Sequence, residues 1–222
     1  MTNARQWRTV DAYFTETIVA PDRALEEALA ANAAAGLPSI DVSAPQGKLI
    51  HLLARMTGAR KALEIGALGG YSTIWLARAL PDDGKLVTLE VNERHAAVAR
   101  ENVARAGLAG KVEVRTGRAL AILPKLEAEG LAPFDFIFID ADKTHNPEYI
   151  DWALRLARPG TAIVVDNVVR DGEVANPSTG DSDVVGTRRM FEMMAREPRF
   201  SATAIQTVGA KGWDGFALAV VK

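Results

Sequence analysis

The rhythm of apolar and polar positions changes near residue 60. Before it, apolar residues recur at helical spacing. Ala4–Ala20 carries an irregular apolar face. Pro21-Asp22 opens a second helical segment through Ala35, which Gly36-Leu37-Pro38 ends. Ser43 is placed to cap a third helix, Pro45–Thr57, whose apolar positions are Leu49, Leu52, Leu53 and Met56.

After residue 60 short apolar runs alternate with helical patterns. Lys61–Ile65, Leu86–Glu90, Val112–Arg115, Phe134–Ile139 and Ala162–Val165 read as strands. Between them fall helices over Tyr71–Leu80, Asn92 to Gly107, Ala119–Glu129 and Pro147–Arg158, the last ended by Pro159-Gly160. Such alternation predicts an α/β fold with a parallel sheet and helices on both faces, and nearly all-apolar strands suit burial on both sides. The polar stretch Arg170–Val185 reads as a loop, and Thr187–Arg196 as a helix. Phe200–Val208 and Gly215–Val221 read as strands around a Lys211-Gly212-Trp213-Asp214 turn, adding antiparallel pairing at one sheet edge. No repeat divides the chain, so residues 1–222 are expected to form a single domain.

Composition narrows the chemistry. A net charge of -2 gives no basic excess to announce nucleic acid. With no cysteine, thiolate metal sites and thiol nucleophiles are excluded, and three histidines make a multi-histidine metal site a poor expectation. Any metal should be a hard, oxygen-loving one. Met1 to Arg8 is polar and no apolar run suits a membrane span, so the expectation is a cytoplasmic protein.

Glu64-Ile65-Gly66-Ala67-Leu68-Gly69-Gly70-Tyr71-Ser72 links a strand to a helix, where glycines allow a sharp turn close to a ligand. Glu90 ends the next strand and suits two ribose hydroxyls. NAD-binding folds use the same parts, but these glycines do not follow G-x-G-x-x-G, and Tyr71 and Ser72 fill a helix start that a diphosphate would want bare. A phosphate-free nucleoside such as S-adenosylmethionine fits better. The plainer reading is a tight turn in an α/β fold.

Two further strands end in acidic groups, Asp140-Ala141-Asp142-Lys143 and Asp166-Asn167. Asp140, Asp166 and Asn167 form a hard oxygen set that suits Mg²⁺, with Mn²⁺ or Ca²⁺ tolerated. Helix capping and solvation of the sheet edge are the competing roles.

Together, LEIGALGGYS, FIFIDADK and VVDN resemble the cation-dependent O-methyltransferases, the group of plant caffeoyl-coenzyme-A O-methyltransferase and, more distantly, animal catechol O-methyltransferase. The resemblance runs from Ser43 to the C-terminal strand. It implies a Rossmann-like class I methyltransferase fold: a mostly parallel seven-stranded sheet with a C-terminal antiparallel hairpin strand, helices on both faces and extra N-terminal helices. It further implies that Glu64, the turn backbone at Gly66 and Ala67, and Ser72 hold the methionine part of S-adenosylmethionine, with Asp142 and Tyr149 around it. Glu90 would take the ribose, Ala119 would lie beside the adenine, Val42 would touch the cofactor from the N-terminal segment, and Asp140 would lie near it. Asp140, Asp166 and Asn167 would bind the divalent cation, and Lys143 would be the general base. A homodimer is the family's usual state. In one departure, Arg170 stands near the place of an Asn used by the plant enzymes.

The chemistry implied is transfer of a sulfonium methyl group to one hydroxyl of a catechol-like small molecule. A phenol with a pKa of about 10 is little ionised at neutral pH, and a bound cation lowers it. Two vicinal hydroxyls chelating that cation would also be lined up for displacement. Lys143 would accept the proton; a surface pairing with Asp142 is its alternative role. Three rivals remain: a tRNA 5-hydroxyuridine O-methyltransferase, with Arg170, Arg188 and Arg189 on phosphates or in helix-face ion pairs; an NAD-binding oxidoreductase; and a non-catalytic cofactor-binding protein. His51 and His95 read as helix-surface residues, while His145 is a candidate for the acceptor pocket. The tryptophans read as packing residues, with Trp213 at a turn that could reach the site.

Overall fold

The computed structural model describes residues 4–222. Helix α1 (Ala4–Phe14) does not run on to Ala20 as an α-helix but passes into a π-turn over Thr15–Val19. Thr15, Thr17, Ile18 and Val19 are all β-branched, the type that crowds a regular turn. Asp22 caps α2 (Arg23–Ala34) by accepting from Leu25 N at 3.1 Å, and Ser43 caps α3 (Ala44–Met56) by accepting from Gln46 N at 3.3 Å.

The remaining elements are β1 (Lys61–Ile65), α4 (Tyr71–Ala79), β2 (Lys85–Glu90), α5 (Glu93–Arg105), β3 (Val112–Thr116), α6 (Ala119–Ala128), β4 (Phe134–Ile139), α7 (Asn146–Arg155), β5 (Ala157–Asp166), α8 (Ser182–Arg196), β6 (Phe200–Gly209) and β7 (Gly212–Val221). Short 3-10 turns cover Lys143–His145 and Arg170–Ala175. The seven strands lie in the order β3-β2-β1-β4-β5-β7-β6. The first five pair in parallel, while β7 is antiparallel to both β5 and β6. The expected sheet and its antiparallel edge are therefore present. No helix among the described residues is long and apolar enough to cross a membrane.

Three boundaries differ from the sequence expectation. Pro159-Gly160 does not stop α7, which ends at Arg155; the pair lies within β5, where the register shifts between Phe134 and Phe136. A bulge accommodates a proline that a regular ladder would not. The hairpin turn is Ala210-Lys211, with Gly209 opposite Gly212, so Trp213 and Asp214 belong to β7. Helix α8 starts at Ser182, not Thr187, because Asp181 caps it by accepting from Asp183 N at 2.8 Å. Gly186 then falls inside the helix. A Cβ there would lie 2.3 Å from the Lys143 carbonyl oxygen, so its absence lets α8 pack directly on the 143–145 turn.

Successive β4 residues feed opposite faces of the sheet, as the pleat requires. Ile137 and Ile139 join Leu63, Ile65 and residues of α7 and α8. Phe136 and Phe138 join Ala62 and residues of α3 and α4. Strands β1 and β4 are neighbours although five elements of sequence separate them, so the connections diverge at their carboxyl ends. Open α/β sheets bind ligands in that crevice.

The crevice depends on Gly66, whose φ is 100°. A Cβ there would fall 2.1 Å from the Asp140 carbonyl oxygen. Gly66→Ala is therefore expected to lower stability by about 2–4 kcal/mol through overlap and backbone strain. Gly110→Ala, with nothing within 4 Å of its Cβ, should change little. Urea unfolding of both variants makes the comparison, and equal stability would contradict the packing argument.

Candidate active site

A cavity of about 550 Å³ opens beyond the carboxyl ends of β1, β2, β4 and β5. One half is built by the glycine turn and the end of β2. Gly66, Ala67, Ser72 and Glu90 line it, joined by Val42 from the N-terminal segment and Ala119 from the start of α6. Glu90 Oε2 accepts from Leu68 N at 2.8 Å and Oε1 from Asn92 N at 2.9 Å. Two backbone donors thus fix the carboxylate while its remaining lone pairs face the cavity. His95 Nδ1 lies 3.7 Å from Glu90 Oε1 on the same wall. His95 is therefore not a plain helix-surface residue. His51 also points inward, with Nδ1 3.1 Å from the Trp75 carbonyl oxygen.

Glu64 is not on the wall. It is fully buried behind it, accepting from Ser72 Oγ at 2.6 Å, Thr73 Oγ1 at 2.5 Å and Thr88 Oγ1 at 2.6 Å. Burial pushes its carboxyl up to about 7; the three hydroxyls work against the rise, and the Asp140 charge adds to it. Its carboxylate is spent on fixing the turn from beneath.

The other half gathers Asp140, Lys143, Asn167 and Arg170 on the wall. Asp166 lies just behind, 4% exposed, and accepts from Asn167 N at 2.8 Å. Burial pushes Asp166 up to about 7; the Asp140 charge adds to this, while Lys143, the Asn167 amide and Gln46 oppose it. The Asp140 carboxylate is thus close enough for its charge to be felt at Asp166. Among the described residues no three His, Cys, Asp or Glu side chains form a metal cluster; the set here is two carboxylates and an amide. Asn167 has a φ of 55°, which asparagine tolerates better than most residues.

Lys143 is no surface lysine paired with Asp142. It is 5% exposed and its Nζ donates to Asp140 Oδ1 at 2.7 Å. Asp142 instead accepts from the Tyr149 hydroxyl at 2.6 Å and pairs with His145. Burial pushes Asp142 up, but those two partners outweigh it and hold the carboxyl below its ordinary range. Burial and the Asp142 charge raise the Tyr149 hydroxyl. Asp142, Tyr149 and His145 all line the cavity. Arg188 makes no ion pair on its helix face; it donates to the Asn176 carbonyl oxygen at 3.0 Å, and Arg189 is exposed. Trp213 donates Nε1 to Gln206 at 3.1 Å and packs toward Gly172, so it is not on the cavity wall.

Several residues escaped the sequence reading. Asp41 lines the cavity and accepts from Asn32 Nδ2 at 2.8 Å. Asn102 Nδ2 donates to Asn32 Oδ1 at 3.0 Å and to the Gly69 carbonyl oxygen at 2.8 Å. This buried amide relay joins the N-terminal segment to the glycine turn. Asp214 Oδ1 accepts from Val169 N, Arg170 N and Gly215 N at 2.9, 3.1 and 2.9 Å. Only His95 had a readable signal, since the Asn92 cap places it in the first turn beside Glu90.

The sheet order and the cavity define a class I methyltransferase fold. The family model described as O-methyltransferase matches residues 15–220. A catechol O-methyltransferase of Mycobacterium tuberculosis is 56% identical over 213 residues, covering 96% of this chain and 95% of that one. A catechol O-methyltransferase of Niastella koreensis is 50% identical over 220 residues, covering 99% and 100%. The crystal structure of the O-methyltransferase from Bacillus cereus in complex with SAH has a TM-score of 0.98 at 57% identity, covering 99% and 100%. The chain belongs to the O-methyltransferase family and is an enzyme of that class.

The buried Glu64 makes stability depend on pH. Its folded value of about 7 lies above the ordinary 4.5, so the native state favours the protonated form. Its contribution is full below pH 4.5, falls as pH rises to 7, and is flat above. Glu64→Gln cannot ionise and escapes the fall. Relative to the parent, its stability should therefore gain up to about 3 kcal/mol between pH 5 and pH 8. A difference in melting temperature that ignores pH would refute this.

Proposed function

We propose that the chain transfers a methyl group from S-adenosylmethionine to one hydroxyl of a catechol-like, vicinal dihydroxy aromatic, with a divalent cation as cofactor. One observation carries this reading: Asp140, Asp166 and Asn167 meet beside a buried Lys143 at one end of a cavity whose other end offers Glu90 and the glycine turn. Relatives named catechol O-methyltransferase at 50% and 56% identity support the acceptor class.

The donor set fits the cation. Asp166 is loaded by burial and by Asp140, and a divalent ion among these oxygens relieves both. When bound, S-adenosylmethionine supplies an electrophilic methyl group and the cation lowers the pKa of a hydroxyl placed on it. Mg²⁺ is the preferred occupant. The chain does the rest by position. Glu90, braced by Leu68 and Asn92, takes the ribose hydroxyls. Ser72, Asp142 and Tyr149 border the methionine part. In its neutral-amine form Lys143 Nζ, positioned by Asp140, would receive the hydroxyl proton and leave the oxygen to bond the methyl carbon as the sulfur–carbon bond breaks. Alignment of the two groups is the main source of rate.

We further propose a homodimer. Val10, Tyr13 and Phe14 on α1 and Ile205 and Val208 on β6 are exposed apolar residues on contacting elements, and a second copy would cover them. A monomer mass in solution would count against it.

EDTA should abolish turnover and Mg²⁺ restore it, and Asp166→Ala with Asn167→Ala should remove the metal requirement together with the activity. Lys143→Ala should lower kcat by about 10²-fold or more, as loss of a general base does, and leave cofactor affinity nearly unchanged by calorimetry. Methylation of catechol that survives EDTA would sink the metal role. A Lys143→Ala loss confined to cofactor affinity would make that residue a binding group instead.

A further inference from the structure

We infer, on the catechol-type reading of the site, that Arg170 is a specificity residue and that the preferred acceptor is a dihydroxy aromatic carrying a carboxylate. Arg170 lies on the cavity wall three residues beyond Asn167, in the half that holds Lys143 and Asp140. The chain goes to some trouble to place it. Its φ is 55° and that of Asp171 is 53°, left-handed values that side chains other than glycine and asparagine rarely adopt. Gly172 follows immediately at 89°.

A single carboxylate holds this backbone. Asp214, on β7 and off the cavity wall, accepts from three amides, those of Val169, Arg170 and Gly215. Val168 N donates to the Gly215 carbonyl oxygen at 3.1 Å alongside. Strain retained under this much restraint marks a position where the side chain's direction matters.

The guanidinium makes one loose ion pair and, among the described residues, no side-chain hydrogen bond. Its side chain is 32% exposed, and its partner is Asp183 Oδ2, also on the cavity wall, at 3.8 Å, beyond hydrogen-bond reach. Asp183 is already engaged through its other oxygen, which accepts from Thr144 N at 3.1 Å and Thr144 Oγ1 at 2.9 Å. The other charges near the cavity have partners or lie elsewhere. Lys143 is paired with Asp140, Glu90 and Asp142 are hydrogen-bonded in the cofactor half, and Arg118 stands beside Ala119 there. Arg170 is thus a planar fork of five donors at the acceptor end, held among the described residues only by the loose Asp183 pair. A carboxylate is the group that such a fork binds bidentately.

The test compares 3,4-dihydroxybenzoate with 3,4-dihydroxybenzamide, the same diol without the charge, on the metal-loaded enzyme. The parent enzyme should prefer the acid. Arg170→Gln should cut kcat/KM for the acid by at least about tenfold, mostly through KM, as loss of a charge-assisted bidentate contact does. The amide should lose much less, and Arg170→Lys should recover part of the loss on the acid. Equal losses on both acceptors would assign Arg170 a structural role and overturn the inference. So would a parent enzyme indifferent to the charge, a result that needs no variant to fold. If the parent methylates the amide but not the acid, the charge is wrong while the catechol-type reading stands. If it methylates neither diol, that reading falls and the inference with it.

Discussion

The contact between Gly66 and the Asp140 carbonyl oxygen is the one on which the site depends. Strands β1 and β4 pair in register up to Ile65 and Ile139, and each then leaves the sheet in a different direction. Because Gly66 has no side chain, the turn after β1 passes directly beneath the end of β4. Asp140 therefore emerges over the glycine turn rather than beside it. The surfaces proposed for a nucleoside and for a cation become neighbouring walls of one cavity. A methyl donor on the first and an acceptor on the second would have little distance to close, which is where most of the catalytic work of such a reaction lies.

Charge is arranged around that contact in two shells of different character. Behind the wall, Glu64 is absorbed by three hydroxyls and serves the backbone. At the wall, Asp140 and Asp166 crowd each other, with Lys143 beside them. Crowding like charges away from water costs stability, and the divalent cation of the proposed function would relieve it. The 143–145 turn that carries Lys143 is held from outside by α8, through the packing of Gly186 and the Asp183–Thr144 hydrogen bonds. The acceptor end is thus built by elements distant from the glycine turn in sequence.

How much of this was legible follows from physics that sequence exposes. Strands buried on both faces announce themselves as apolar runs, so the sheet and its closing hairpin could be read. Residues at strand ends, Glu90, Asp140, Asp166 and Asn167 among them, were legible because strand ends must converge in an open sheet. What could not be read were contacts closed by tertiary packing. Asp214 looked like a turn residue because two of its three amide partners, Val169 N and Arg170 N, lie some forty residues away. Gly186 fell between the loop and the helix read from sequence, because the carbonyl it accommodates is on another element. Glu64 was assigned to the cofactor through family likeness, and only the positions of Thr73 and Thr88 show what its carboxylate touches.

The buried amide relay has a consequence for engineering. Asn32 belongs to α2, Asn102 to α5 and Gly69 to the turn between β1 and α4, and Asp41 on the cavity wall hangs from the same chain of bonds. The N-terminal helices are therefore not an exchangeable module laid over a finished catalytic domain. A chimera that grafts another relative's first forty residues onto this sheet would keep the Asn102–Gly69 bond but leave the other N–H of that buried amide without an acceptor unless the graft brings its own. Acceptor range can be recombined within this fold only along seams that cut no buried polar bond.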